Sequence, residues 1–303
     1  MNDALAYVRP ERIRRFLEEP PKTAKNGART VAYDDHLGVQ EKVWFWFHGS
    51  PSSRLEALLV LDWAEARGIR LIALDRPGIG GTTPSDSRTA LSVVDDLLAV
   101  ADREGIERFT VLGGSGGGPY ALACAYAIPD RLDGAVITAP GGVASEAPGL
   151  AGWIDRGADW LARRAPWALV AYFRLLQLGA KVPAPLLRPL AFGAEGPFVR
   201  AVLDSGLGPA NFSAVFAQGS RGVVDDFRRL GAFGFPLSDI RTAVLFVHGE
   251  RDPFVPSRQT EGFAARVPRS TYVSFSGLGH GGAIFALDRI SLRLKGRRGP
   301  VTD

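Results

Sequence analysis

The chain of 303 residues has little sulfur, with a single cysteine and a single methionine. One cysteine, Cys124, excludes an intrachain disulfide, and its apolar neighbours indicate a small core residue. No run reaches the roughly 18 apolar residues of a membrane span. The first 21 residues are charged throughout and lack the apolar core of a secretion signal. We therefore expect a cytoplasmic protein in a reducing compartment.

The net charge is also small, because 36 Lys and Arg residues face 32 Asp and Glu residues, giving a formal +4. Nucleic-acid binding needs basic residues that cluster on one face. The chain has one short basic cluster near its C-terminus, which we interpret as a solvated tail: Arg293, Lys295, Arg297 and Arg298. We therefore expect no nucleic-acid partner. The 46% of hydrophobic residues is enough for a substantial core.

Short apolar runs alternate with longer helical patterns, which predicts an α/β fold with a mostly parallel sheet. Buried strands are predicted at residues 43–47, 70–75, 109–112, 135–139, 243–247 and 271–275. Helices are predicted over 54–67, which ends at Gly68, and over 92–103, which ends near Gly105. Residues 30–33 and 37–40 predict a leading antiparallel hairpin.

The alternation breaks between residues 141 and 236, a stretch rich in glycine, proline and aromatic residues. We predict a core domain made of residues 1–140 and 237–303, and a helical cap inserted at 141–236. Three tryptophans in it, Trp153, Trp160 and Trp167, are seven residues apart, so they can share one helix face even though Pro166 interrupts. We predict that part of this face covers an apolar substrate pocket. The alternative is that it packs onto the sheet domain.

A G-x-S-x-G motif, GGSGG at residues 113–117, lies between a predicted strand and a helical pattern. This is the context of a nucleophile elbow, a sharp turn with a strained serine, where flanking positions must be small. Gly113 and Gly117 meet that need and leave Ser115 as the candidate nucleophile. The alternative is an ordinary glycine-rich turn, because the chain holds 36 glycines.

A serine hydroxyl needs a neighbouring base, and the base needs an orienting acid. His280 lies in a glycine-rich loop after the last predicted strand, so it is the candidate base. His248 ends a strand and His48 precedes a turn, so both are interpreted as structural, and His36 lies in a polar turn without a supporting pattern. The candidate acid is Asp252, just after the strand 243–247, where open α/β sheets place their sites.

Two further assignments complete the predicted site. Glu250 competes with Asp252 for the role of the acid. An oxyanion hole needs two backbone N–H donors, and one should come from Gly116, the residue after the nucleophile. The other should come from residues 48–51. Pro51 has no N–H and Gly49 is needed for the turn, so Ser50 is the better candidate. The alternative is that this segment is only a turn that ends a strand.

Together these motifs resemble those of the α/β-hydrolase superfamily, in the branch with a helical cap. The resemblance rests on five segments in order: HG at 48–49, DRPGIG at 75–80, GGSGG at 113–117, GERD at 249–252 and GH at 279–280. It implies an eight-stranded sheet, a lid at about 141–236, and ester hydrolysis without a cofactor or metal. Haloalkane dehalogenases and epoxide hydrolases have an aspartate where Ser115 lies. Proline iminopeptidases have a longer glycine-rich oxyanion segment and a tryptophan in the elbow, where Gly116 lies here.

The sequence thus predicts a carboxylesterase-like serine hydrolase that cleaves an ester or related acyl bond of a small, mainly apolar molecule through an acyl-enzyme. A C–C bond hydrolase, a perhydrolase and an aminopeptidase or other amidase share the same triad. A non-catalytic ligand-binding protein on this fold is the alternative from another class. A basic nucleic-acid or membrane-surface module is disfavoured because the charge is diffuse. The sequence leaves the oligomeric state open.

Overall fold

The computed structural model describes residues 10–86, 89–141, 149–179, 199, 202, 204–229 and 233–281. Eight strands in this part of the chain form one sheet: β1 (Lys22–Asn26), β2 (Arg29–Asp35), β3 (Lys42–Phe47), β4 (Ile69–Leu74), β5 (Phe109–Gly114), β6 (Leu132–Thr138), β7 (Val244–Gly249) and β8 (Ser270–Phe275). The order across the sheet is β1-β2-β4-β3-β5-β6-β7-β8. Strands β3 to β8 pair in parallel, while β1 pairs antiparallel with β2 and β2 with β4. The prediction of a mostly parallel sheet is confirmed.

The six predicted buried strands correspond to β3–β8, with bounds that differ by at most a few residues. The predicted hairpin is wrong in one arm, because β2 pairs with the preceding strand β1 and residues 37–40 form no strand. The missed signal is the pair Asn26-Gly27. Gly27 opens a two-residue turn with φ of 58°, which glycine adopts at little cost.

The predicted helix at 54–67 begins as a 3₁₀ helix, Arg54–Val60, before α2 (Leu61–Glu65). The hydroxyl of Ser53 accepts a hydrogen bond from the N–H of Leu55 and caps this segment. The other helices are α1 (Pro10–Leu17), α3 (Ser92–Arg103), α4 (Gly118–Ala127), α5 (Gly149–Arg164), α6 (Pro166–Gly179), α7 (Leu207–Val215), α8 (Arg221–Arg229) and α9 (Ser257–Arg266). Helix α3 has the predicted bounds.

Alternate residues of each strand pack on opposite faces of the sheet, as the two-residue period of a strand requires. Phe45 and Phe47 of β3 belong to a buried cluster with α3, α4 and α9. Trp44 and Trp46 of the same strand belong to a second cluster with α1, α2, α7 and the 3₁₀ segment. Both faces are thus covered, which explains why the central strands are apolar throughout.

Helices α5 to α8 lie between β6 and β7 in the chain, in the region predicted to be helical. Side chains from α5, α6, α7 and α8 form a third buried cluster, which the turn after β4 joins through Ile79. Pro166 begins α6, so the three tryptophans are divided between two helices. In the part of the chain that is described, no helix is long and apolar enough to cross a membrane.

Candidate active site

Ser115 lies on the sharp turn that joins β5 to α4, at the carboxyl ends of the parallel strands. Its φ is 49°, in the left-handed region that a non-glycine residue rarely adopts. A Cβ at Gly113 would lie 2.5 Å from the carbonyl oxygen of Gly117, and a Cβ at Gly117 would lie 2.1 Å from that of Phe47. The two flanking positions therefore admit only glycine, and the turn holds the serine in a strained conformation.

His280 and Asp252 come from two loops at the same end of the sheet, after β8 and β7. Nδ1 of His280 lies 2.6 Å from Oδ2 of Asp252. The other carboxylate oxygen, Oδ1, accepts hydrogen bonds from the backbone N–H groups of Phe254, at 2.8 Å, and Val255, at 2.9 Å. The carboxylate is therefore fixed on both sides. Its contact with Nδ1 leaves Nε2 as the imidazole nitrogen that can act as a base.

Asp252 is almost fully buried, with 1% of its side chain exposed. Burial alone would raise its pKa, but the neighbouring His280 and the two backbone N–H donors lower it, and the pKa lies below its usual value. Asp252 is therefore ionised at neutral pH and can stabilise an imidazolium on His280.

The other three histidines are held in structural contacts. His248 is fully buried between the hydroxyl of Thr260 and the carbonyl oxygen of Val255, and burial lowers its pKa. His48 is fully buried, with Nδ1 2.8 Å from the carbonyl oxygen of Gly49. His36 lies beside Glu19 and Asp34.

Glu250, the competing candidate for the acid, is exposed, and it is hydrogen-bonded to Ser274, not to His280. Its carboxylate accepts a hydrogen bond of 2.7 Å from the hydroxyl of Ser274. The carboxylate that His280 contacts is that of Asp252. The geometry therefore favours Asp252 as the orienting acid.

Ser50 and Gly116, the candidate oxyanion donors, lie side by side. A Cβ at Gly116 would be 3.1 Å from the backbone nitrogen of Ser50 and 2.3 Å from its Oγ. A side chain at position 116 would therefore have to displace the side chain of Ser50. This close approach places the backbone of Ser50 beside that of Gly116, and an oxyanion hole needs two N–H donors close together.

A pocket of about 260 Å³ opens beside these groups and is lined by Ser50, Ser115 and His280. Its apolar wall includes Leu59, Val202 and Leu207, and its polar wall includes Ser52, Glu56, Thr138 and Asn211. A concave site that combines apolar surface with convergent polar groups is typical of small-molecule sites. Among the described residues, no group of three or more His, Cys, Asp or Glu side chains is arranged to hold a metal ion.

Three tryptophans are predicted to bind substrate. The two whose side chains the structure describes do not lie at this pocket. Trp160 is 60% exposed and Trp167 is 75% exposed, and neither is among the lining residues. Trp153 lies in α5, but its side chain is outside the described part of the structure. The described residues of the insertion that do line the pocket are Val202 and two residues of α7, Leu207 and Asn211.

Glu56 is a pocket residue that the sequence analysis missed. Both of its carboxylate oxygens accept a hydrogen bond of 3.1 Å from the N–H of Gly49. A Cβ at Gly49 would lie 3.3 Å from Oε2 of Glu56 and 3.6 Å from Cβ of Ser115, so Gly49 lies between the carboxyl group and Ser115. Burial raises the pKa of Glu56, although hydrogen bonds from Ser52 and Gly49 and the charges of Arg76 and His280 oppose the shift.

We expect Glu56→Gln to stabilise the protein at alkaline pH and to have little effect near pH 4. A carboxyl whose pKa is raised by folding ionises more readily in the unfolded chain, so stability falls as pH rises from the unfolded to the folded pKa. Glutamine keeps an acceptor for Gly49 and removes this ionisation. Melting curves of both proteins between pH 4 and pH 8 test the expectation. A difference in melting temperature that does not change with pH would contradict it.

The sequence profile of the alpha/beta hydrolase fold family matches residues 47–287, so the chain belongs to this family. A similar curated relative is the uncharacterized protein Rv2715 of Mycobacterium tuberculosis (strain ATCC 25618 / H37Rv). It is 30% identical over 191 residues, which cover 61% of this chain and 53% of the relative. The chain thus spans about half the length of the curated relative that it matches.

Solved structures agree on the fold. A meta-cleavage product hydrolase from Pseudomonas fluorescens IP01 superposes with a TM-score of 0.64 at 19% identity, over 89% of this chain and 94% of that one. A thermophilic esterase from Thermogutta terrifontis superposes with a TM-score of 0.63 at 20% identity, over 89% and 95%. At these identities the likeness shows the fold alone, and the predicted α/β-hydrolase fold is confirmed.

Proposed function

We propose that the protein is a serine hydrolase that cleaves an ester or related acyl bond of a small molecule. The observation that supports this most strongly is the 2.6 Å contact of a buried, ionised Asp252 with His280, which lines the same pocket as the strained Ser115. A nucleophile and a base at one pocket, with an acid that orients the base, are the minimum for acyl transfer.

In the proposed reaction, Oγ of Ser115 attacks the substrate carbonyl carbon while Nε2 of His280 takes the hydroxyl proton. The carbonyl π electrons move to oxygen, and the N–H groups of Ser50 and Gly116 stabilise this oxyanion. When the tetrahedral intermediate collapses, His280 gives the proton to the leaving alkoxide and an acyl-serine remains. Water, activated by His280, then releases the acid and restores Ser115. Asp252 orients His280 and stabilises its cationic form throughout.

The insertion between β6 and β7 is proposed to act as a cap, because Val202 and α7 supply part of the pocket wall. With Leu59, they form an apolar surface that suits an acyl chain. Ser52 and Asn211 form a polar side, where Nδ2 of Asn211 donates to Oγ of Ser52 at 3.0 Å. We therefore propose an apolar acyl group with one polar substituent as the substrate class. The cytoplasmic location stays a prediction.

We expect Val202→Phe to shift the preference toward short esters. Val202 is half-buried and lines the pocket, so a larger side chain removes volume that a long acyl chain would occupy. The ratio of kcat/KM for p-nitrophenyl octanoate to that for the acetate should fall about tenfold, equivalent to ~1.4 kcal/mol. Trp167→Phe, a change at an exposed position, is the matched control and should leave the ratio unchanged. An unchanged ratio in both variants would show that this wall does not select the acyl chain.

Turnover of a panel of p-nitrophenyl esters of increasing chain length tests the proposed function, with Ser115→Ala as the blank. The proposal expects hydrolysis by the wild type, with a burst of one p-nitrophenol per chain if deacylation is slow. A folded wild type with no turnover above the blank on any ester would reject the esterase assignment. Binding of the same esters without turnover would favour a non-catalytic ligand-binding protein.

A further inference from the structure

Asp226 of helix α8 lies in a buried hydrogen-bond network that reaches the oxyanion loop. Its carboxylate is 1% exposed. Oδ1 accepts a hydrogen bond from the hydroxyl of Tyr120, at 2.7 Å, and one from Nε of Arg76, at 3.0 Å. Oδ2 accepts from Nη2 of Arg76 at 2.5 Å and from the hydroxyl of Ser50. One carboxylate from the insertion thus joins three parts of the core domain.

Arg76, the partner of Asp226, binds the backbone that carries the oxyanion donor. Its side chain is fully buried, and Nη1 donates to the carbonyl oxygen of His48. Nη2 donates to the carbonyl oxygen of Gly49 at 2.9 Å and to Oγ of Ser50 at 2.7 Å. The guanidinium also lies over the ring of Tyr120, 4.8 Å from its centre. The loop from His48 to Ser50 is therefore held at three successive residues.

Helix α8 is also docked through its backbone against the turn after β4. A Cβ at Gly222 would lie 2.0 Å from the carbonyl oxygen of Gly78, so the helix and the turn approach as closely as two glycines permit. Gly222 and Asp226 are four residues apart and share one helix face. The position of α8 therefore determines where the carboxylate of Asp226 meets Arg76 and Ser50.

We propose that Asp226 is a positioning residue for the oxyanion hole, which acts through Arg76 and the hydroxyl of Ser50 to fix the backbone N–H of Ser50. Stabilisation of an oxyanion depends on hydrogen-bond donors that are in place before the charge forms. A small displacement of this N–H therefore weakens binding of the transition state more than binding of the substrate. The inference rests on the proposed function. It adds that the inserted helices contribute to the chemical step as well as to the pocket wall.

The test compares kcat and KM for a p-nitrophenyl ester, affinity for a trifluoromethyl ketone that forms an oxyanion on Ser115, and melting temperature. Asp226→Asn removes the charge but keeps the size. Ser50→Ala keeps the backbone N–H and the pair of Arg76 with Asp226, and removes only the hydroxyl link. Tyr120→Phe removes the other hydroxyl donor to Asp226. Asp225→Asn is the matched control, because its carboxylate pairs with Arg221 and Arg228 on the same helix.

We expect Asp226→Asn and Ser50→Ala each to lower kcat about 10- to 100-fold and to change KM less than threefold. The decrease in kcat should not exceed the decrease caused by removing one oxyanion donor completely. Affinity for the ketone should fall by the same factor as kcat/KM. Tyr120→Phe should lower kcat severalfold, and Asp225→Asn should match the wild type. The double variant Ser50→Ala/Asp226→Asn should lose little more than the worse single variant, because both changes affect the same hydrogen bond between Ser50 and Asp226.

Normal kcat and ketone affinity in folded Asp226→Asn would overturn the inference, as would losses that multiply fully in the double variant. If Asp226→Asn does not fold because Arg76 is left buried without its partner, Ser50→Ala and Tyr120→Phe decide, and normal kcat in both overturns it. A wild type that turns over esters while these variants are unaffected contradicts this inference alone. A folded wild type without any turnover contradicts the proposed function and this inference with it.

Discussion

Ser115→Ala and His280→Ala are expected to lower kcat by similar factors, about 10⁴- to 10⁶-fold. Nucleophile and base act as one unit, so removing either one removes the same step. The residual rate should come from the oxyanion donors and substrate binding. The measurement is kcat for a p-nitrophenyl ester, with melting curves to show that each variant is folded. His36→Gln, which changes a histidine held by Glu19 and Asp34, is the control and should keep most of the wild-type kcat.

A His280→Ala variant that loses less than tenfold would contradict the assignment of the base. In that case His248 and His48 would not replace it readily, because both are fully buried. The remaining histidine, His36, is held beside two carboxylates, so the base would then have to be a residue of another type.

Asp252→Asn is expected to lower kcat about 10³- to 10⁴-fold with little change in stability. Oδ1 of asparagine can still accept the backbone N–H groups of Phe254 and Val255, so the loop should keep its shape. The amide nitrogen, however, would face Nδ1 of His280, favouring the tautomer that carries its proton on Nε2. That tautomer cannot accept the proton of Ser115, which explains a loss this large.

The matched control is Glu250→Gln, on the same loop but bonded to Ser274 at the surface. It should retain nearly the wild-type kcat. A large loss in Glu250→Gln together with a small loss in Asp252→Asn would move the role of the acid to Glu250.

The sheet and the loops that carry the candidate site were predictable because their signals are local. Each buried strand is a short apolar run, and the elbow, the acid loop and the base loop each follow a strand within a few residues. The predicted hairpin is wrong because its two arms, residues 30–33 and 37–40, require a turn at the polar pair Asp34-Asp35. In the structure these residues continue β2, and Arg54 and Arg70 compensate their charges.

The pocket wall was not predictable because it depends on which face of each inserted helix packs against the core domain. A spacing of seven residues places tryptophans on one face but does not say whether that face meets the core or solvent, and Trp160 and Trp167 meet solvent. Asp226 could not be predicted because its hydrogen-bond partners are distant in sequence. Glu56 could not be predicted because its partner, Gly49, lies in a loop. The distance in sequence from Ser50 to Asp226 is 176 residues. One signal was available for Asp226, which lies among the apolar residues Val223 and Phe227 on the buried face of its helix.

The most direct test of Ser115 as the nucleophile is intact-mass measurement after reaction with a fluorophosphonate probe. We predict one covalent label per folded chain, located on Ser115, and none on Ser115→Ala. Labelling of His280→Ala should be much slower, since the base activates the serine toward the probe. A folded wild type that takes up no label, or a label that persists in Ser115→Ala, would show that Ser115 is not the nucleophile.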